Sequence, residues 1–342
     1  TIDTVLSVVA DGAGALAIDD PYVGDADVSR TSLAGGVADY ATDPKLAAGT
    51  DYLMQNEVGI YRSSDDARYS GLSVAAGATL TLGQNNGSGN SISFSNDIDN
   101  SGTITRSTAN TNHGLRLTCL YYFASGNIAN AGVEDAQNGG NTYISAANGI
   151  ANSGHINASG FDETDESGAT SSGGQISLNS GGYVINSGEL DSGGGDGFGA
   201  GGSGSQVNMN AAYTENTGAI NMSGGNNISD PAILGSGGNG SQLYLWGAYA
   251  AYNTGAVDGS GGDGDNGGNG GYVRVSNGGI GEVKNAGNVN LNGGHGVVDG
   301  GGDGGDLRMS AYGGDLLNSG DLSSVGGDTN GLIQGGGDGG EM

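Results

Sequence analysis

The chain repeats itself, and that constrains its fold more than any single residue does. The pattern Asn-(Ser/Ala/Thr)-Gly-x-(Ile/Leu/Val) starts at Asn100, Asn152, Asn186, Asn216, Asn253, Asn285 and Asn318, with a looser copy at Asn130. The mean spacing from first to last is about 31 residues, within the range that marks a solenoid, propeller or array. A second element precedes each copy, an apolar-polar-apolar triplet. The triplets are Ile92-Ser93-Phe94, Leu115-Arg116-Leu117, Thr142-Tyr143-Ile144, Ile176-Ser177-Leu178, Val207-Asn208-Met209, Leu243-Tyr244-Leu245, Val273-Arg274-Val275 and Leu307-Arg308-Met309. Alternation of period two reads as a half-buried strand, and a slip of one residue would turn the apolar pair outward. A third short stretch, such as Tyr183-Val184-Ile185 or Glu282-Val283-Lys284, lies between triplet and motif.

One period is too short to bury its own apolar side chains. Stacked periods can, because each strand pairs with its equivalent in the next coil. The expected fold is all-β: a parallel β-solenoid of about 31 residues per coil over residues 76–342, with residues 1–75 as an N-terminal cap or assembly segment. Coils should rise by about 4.8 Å, the inter-strand distance. The motif Asn is expected to bond to its equivalents as a ladder, and the motif Gly to supply a positive φ at a corner.

Composition narrows the function. The chain has 75 Gly among 342 residues, concentrated in loops between coils such as 192–196, 259–271 and 300–305. Those loops read either as flexible or as stacked, extended polyglycine with three residues per turn. The net charge of −28 argues against nucleic acid and anionic membrane as partners, and no apolar run is long enough to span a bilayer. Cys119 stands alone, so the chain has no internal disulfide; with Leu115 and Leu117 it is expected to face inward as an inert thiol.

The loop acids are the candidate site residues. Asp196, Asp263, Asp265, Asp303, Asp306 and Asp338 sit in Gly-rich loops of different coils, and stacking should bring some carboxylates together. Calcium, a hard cation that takes oxygen ligands, is the ion such a group would hold. Gly301-Gly302-Asp303-Gly304-Gly305-Asp306 matches the opening of the calcium-binding nonapeptide, but that motif needs tandem copies and here it occurs once per coil. No cofactor is required. His113, His155 and His295 lack ligand spacing, and Arg116, Arg274 and Arg308 share the outward triplet place with Ser, Asn and Tyr. That column reads as a surface, and enzymatic activity is not expected. Trp246 with Tyr244, Tyr249 and Tyr252 makes a local aromatic cluster, read as packing between coils or under the loops, or as a face for sugars or a partner protein.

The eight motif copies and their triplets resemble the repeats of filamentous-haemagglutinin-like adhesins and autotransporter passengers, over roughly residues 75–342. The resemblance implies a right-handed β-helix secreted to the cell surface. The expected function is an extracellular structural protein that assembles with copies of itself into a filament, sheath or surface layer. The Thr1–Ala10 strand, with its apolar run Val5–Val9, would add to the open solenoid end of a neighbour, since the C-terminus resembles the start of a further coil. The alternative expectation is an adhesin that binds carbohydrate or another cell, and behind it a polysaccharide-acting enzyme.

Overall fold

The computed structural model describes residues 5–19, 45–55, 71–74, 76–77, 79–82, 90–93, 97–106, 115–129, 138–163, 170–228, 235–329 and 336–341. Within these the chain is a parallel β-solenoid of about 6 turns, with ~32 residues per coil and no helix. Each full coil passes along three faces. Face A carries the triplet strands, such as Ile176–Ser180, Tyr272–Asn277 and Asp306–Ser310. Face B carries the strand that leads into the Asn motif, such as Tyr183–Asn186 and Val283–Asn285. Face C carries the two residues that follow it, Leu190–Asp191, Ile220–Asn221, Val257–Asp258 and Val289–Asn290. In some coils one long strand, such as Gln242–Asn253, runs through faces A and B without a break.

Register follows the apolar pattern. Ile176 pairs with Val207, Val207 with Leu243, Leu243 with Val273, and Val273 with Leu307, all in parallel. These side chains form one continuous buried stack, joined by Val184 and Val283 from face B and by Leu190, Ile220, Val257 and Val289 from face C. The core is therefore a narrow column filled from three sides, with each coil closing the interior of its neighbour. Cys119 is buried in it, opposite Ala146, and burial pushes its thiol up to about 12.

The Asn column forms the expected ladder. Each buried amide donates to the next: Asn152 to Asn186 (2.8 Å), Asn186 to Asn216 (2.8 Å), Asn216 to Asn253 (2.9 Å), Asn253 to Asn285 (2.7 Å) and Asn285 to Asn318 (2.9 Å). The second Nδ2 hydrogen of each amide closes the corner onto the carbonyl of its own motif Gly, as Asn186 does onto Gly188 at 2.8 Å. A primary amide has two donors, and both are used in the dry interior.

Three sequence expectations change. The motif glycines are not there for positive φ, which among the described glycines occurs only at Gly77 and Gly199. They are there because coils touch. A Cβ on Gly188, Gly218, Gly255 or Gly287 would lie 1.8–1.9 Å from the carbonyl oxygen of the motif Gly one coil before. Second, Asn130 lies outside the described residues, and the ladder position of its coil belongs to Ala124, which pairs with both Asn100 and Asn152. The true copy is Ala124-Ser125-Gly126-Asn127-Ile128, with Ala in place of Asn. Third, Ile92 pairs with Leu117, so it fills the second apolar position of its triplet, and Phe94 lies outside the described residues.

Parallel strand pairing also runs back into the N-terminal segment. Val5–Asp19 and Lys45–Gln55 pair in parallel with one another, the first also with Gly71–Val74 and the second with Thr79–Leu82. Residues 1–4 of the segment expected to add to a solenoid end lie outside the described residues.

Candidate binding surfaces

The Gly-rich loops form a second stack beside the β-core. In each coil an outgoing run leaves face C and a returning run leads back to face A. The N–H directions repeat every third residue, which is the period of polyproline II. In the outgoing run, Gly261 and Gly264 donate to Asn292 and His295 of the next coil, Gly262 to the returning Gly238, and Asp263 to the Asn226 side chain. In the returning run, Gly267 and Gly270 donate to Gly300 and Asp303, Gly268 and Gly271 to Gly262 and Gly259 of their own coil, and Asn269 to the Asn239 side chain.

The two runs are stitched by a zigzag seam. It passes from Gly337 through Gly327, Gly302, Gly294, Gly268, Gly262, Gly238, Gly225, Gly202 and Gly195 to Ser171, each N–H donating to the next carbonyl at 2.7–2.9 Å. There is no room for a side chain at its glycines. A Cβ on Gly202, Gly238, Gly268, Gly294 or Gly302 would lie 1.9 Å from a backbone oxygen. Two residues in three must be Gly, and the third turns outward. Gly301-Gly302-Asp303-Gly304-Gly305-Asp306 is this period of three, not a calcium nonapeptide.

The outward residues form two columns. On the outgoing run they are Asp162, Asp196, Asn226, Asp263, His295 and Asp328, and each of the first five accepts the N–H of its successor through a side-chain atom. The returning run includes Asn239, Asn269, Asp303 and Asp338, linked in the same way. The candidate acids are thus divided. Asp196 and Asp263 share the first column, separated by Asn226. Asp303 and Asp338 adjoin in the second. Asp306 starts a face A strand and accepts the N–H of Glu341 at 2.8 Å. Asp265 is buried at the loop tip, where its carboxylate accepts the Gly235 N–H at 2.6 Å. Among the described residues no three His, Cys, Asp or Glu side chains come together in a metal-binding group. The carboxylates of Asp196, Asp263, Asp265, Asp303 and Asp306 each accept a backbone N–H from another coil, as a backbone carbonyl would.

A groove of about 610 Å³ runs along face C, lined among others by Glu189, Asn221, Asp258, Asn290, Asp321 and Ser323. Its floor is held by side-chain bonds, Asn221 to Asp191 (2.9 Å) and Asn290 to Asp258 (3.1 Å). No Lys, Arg, His or Cys lines it. The arrangement offers hydrogen-bond acceptors along the rod axis.

No protein family, no curated protein and no solved structure was found to match the chain.

The remaining candidate residues lie apart. His155 faces Glu189 at 3.9 Å across adjacent coils, His295 belongs to the outgoing column, and His113 lies outside the described residues. Arg116, Arg274 and Arg308 do share the outward column of face A. The aromatic concentration splits over two faces: Tyr244 packs on Tyr272 of face A at 5.9 Å, and Tyr252 packs on Tyr213 of face B at 5.5 Å.

Proposed function

We propose that the chain is the rod of an extracellular structural protein, one that assembles with copies of itself into a filament, sheath or surface layer. The observation that supports this reading most is the pair of ladders parallel to the rod axis, one of buried Asn amides and one of glycine backbone. They commit the chain's polar and glycine residues to contacts between coils, which serves a stiff element. The reading asks for no catalysis and no cofactor. The likeness of the repeats to haemagglutinin-like secreted proteins, and with it a right-handed coil and a cell-surface location, belongs to the same proposal. Electron microscopy of the purified protein tests it: regular polymers support assembly, and monomeric rods at every concentration remove it.

A second reading, an adhesin that binds carbohydrate, is favoured by one observation. Trp246 and Tyr249 are 38% and 66% exposed at the edge of a polar face. Calcium is proposed only as an ion screening the acid columns. Melting with calcium and with chelator tests it: a rise of several degrees supports binding to the folded state, and no shift removes it.

A further inference from the structure

Face A carries an arrangement that the rod does not use. Three successive coils place Tyr244 beside Arg274 and Arg274 beside Arg308, in register. Tyr272 stands next to this column and packs on Tyr244, whose hydroxyl donates to Gln242 at 2.9 Å. Trp246, the only Trp of the chain, lies at the edge. A Cβ on Gly278 of the next coil would come within 3.2 Å of its ring, so this glycine leaves the indole room to lie over the backbone.

The charge here is unlike the rest of the molecule. The chain has 9 Lys and Arg against 37 acids, yet two of those bases stand directly opposite one another. Like charges one strand apart repel, at a spacing of about 4.8 Å. Neither guanidinium has an ion-pair partner among the described residues, although Asp306 lies two residues before Arg308 on the same face. An anion set between them relieves the repulsion, and the planar fork of Arg suits a carboxylate. Beside it, Tyr244, Tyr272 and Trp246 offer ring faces to an apolar sugar face, while Gln242 and Asp306 offer acceptors to hydroxyls.

We infer that Tyr244, Trp246, Tyr272, Arg274 and Arg308 form a binding face for an acidic polysaccharide, with a uronate carboxylate between the two arginines. The inference rests on the carbohydrate-binding reading and is independent of assembly. The net charge of −28 does not forbid it, because carboxylates more than about 8 Å away are screened at physiological salt.

Trp246 is the only Trp, so its emission reports on this face alone. The probe is an oligogalacturonate of about five sugars, a length set by the span of three coils and one strand, titrated at physiological salt against its fully methyl-esterified form. The expected result is a saturable change in emission with the acidic oligomer and at least a tenfold weaker response to the ester. The double variant R274A/R308A, checked for an unchanged melting curve, should lose the acidic preference. Should that variant misfold, Arg274→Lys with Arg308→Lys keeps the charge and loses the fork, and should bind several-fold more weakly. Equal binding of acid and ester overturns the uronate assignment and leaves the carbohydrate reading standing. No response to either oligomer overturns both. A concentration-dependent emission change without sugar, abolished in the double variant, means that a second copy of the chain takes this face, and also overturns the inference.

Discussion

At the scale of single residues, the Asn ladder carries the clearest consequences. Asn216 uses one amide to accept from Asn186 and to donate to Asn253 and Gly218. Asn216→Ala leaves one buried donor (Asn186 Nδ2) and two acceptors (Asn253 Oδ1 and the Gly218 carbonyl) without partners, and should cost about 2–4 kcal/mol in urea unfolding. The gap at Ala124 gives the converse. Asn152 Oδ1 is buried without a donor because the coil before it has Ala in the ladder position. Ala124→Asn should supply that donor and raise stability by about 1 kcal/mol; a loss of stability would show that the pocket lacks the volume. Two buried acidic groups set an alkaline limit. Burial raises Cys119 from 9.0 to about 12, and burial also raises Tyr122 above its ordinary 10.0. Both folded-state values are raised, so their contribution is complete below pH 9.0 and is lost as pH climbs toward about 12. Urea midpoints should hold steady up to that lower limit and then fall. Cys119 should resist thiol reagents until the chain unfolds.

At the scale of elements, strands and glycine runs obey different rules. Strand positions select side chains by which way they point. Seam positions admit only hydrogen. Gly238→Ala puts a Cβ 1.9 Å from the Gly202 carbonyl oxygen and should cost at least about 2 kcal/mol, whereas Asn239→Ala, on the outward column, should cost under about 1 kcal/mol. This contrast also explains what the sequence revealed. Ile176, Val207 and Leu243 were legible as one stack because alternation and spacing both mark them. The Asn ladder was legible because the motif recurs. Ala124 was not, since an Ala in the ladder position erases the letter by which a copy is recognised, and Asn130 offered a false match nearby. The glycine runs were only half legible. Their Gly-Gly-polar period is visible in Gly301–Asp306, but the loops differ in length between coils, from 30 to 37 residues per ladder step, so no fixed spacing aligns them. The candidate acids were found as loop residues, while their division between two columns follows from the direction in which each run travels, which composition does not encode. The Arg274–Arg308 pair was visible as a column, yet its meaning depends on the absence of an ion-pair partner among the described residues, which is a property of the fold.

At the scale of the whole molecule, two stacks share one axis: a three-faced apolar core and a glycine lobe with acidic outer columns. Each coil touches mainly its neighbours, so stability accumulates along the rod rather than around one centre. The charge acts in the opposite sense. With a net −28, and the contact of His155 with Glu189, charged only when the imidazole is protonated, as the one such pair among the described residues, repulsion outweighs attraction at low salt. Raising sodium chloride from about 0.01 M to 0.15 M shortens the screening length from about 30 Å to 8 Å and should raise the melting temperature; a fall would mean that attractive pairs dominate. The molecule depends most on an ordered lobe, with the glycine runs packed as firmly as the strands. Amide hydrogen exchange at Gly202, Gly225, Gly238, Gly262, Gly268 and Gly294 tests this directly. The seam predicts protection close to that of Leu243 and Val273 in the core. Exchange of those glycines at the rate of an unstructured chain, with the strands still protected, would contradict it.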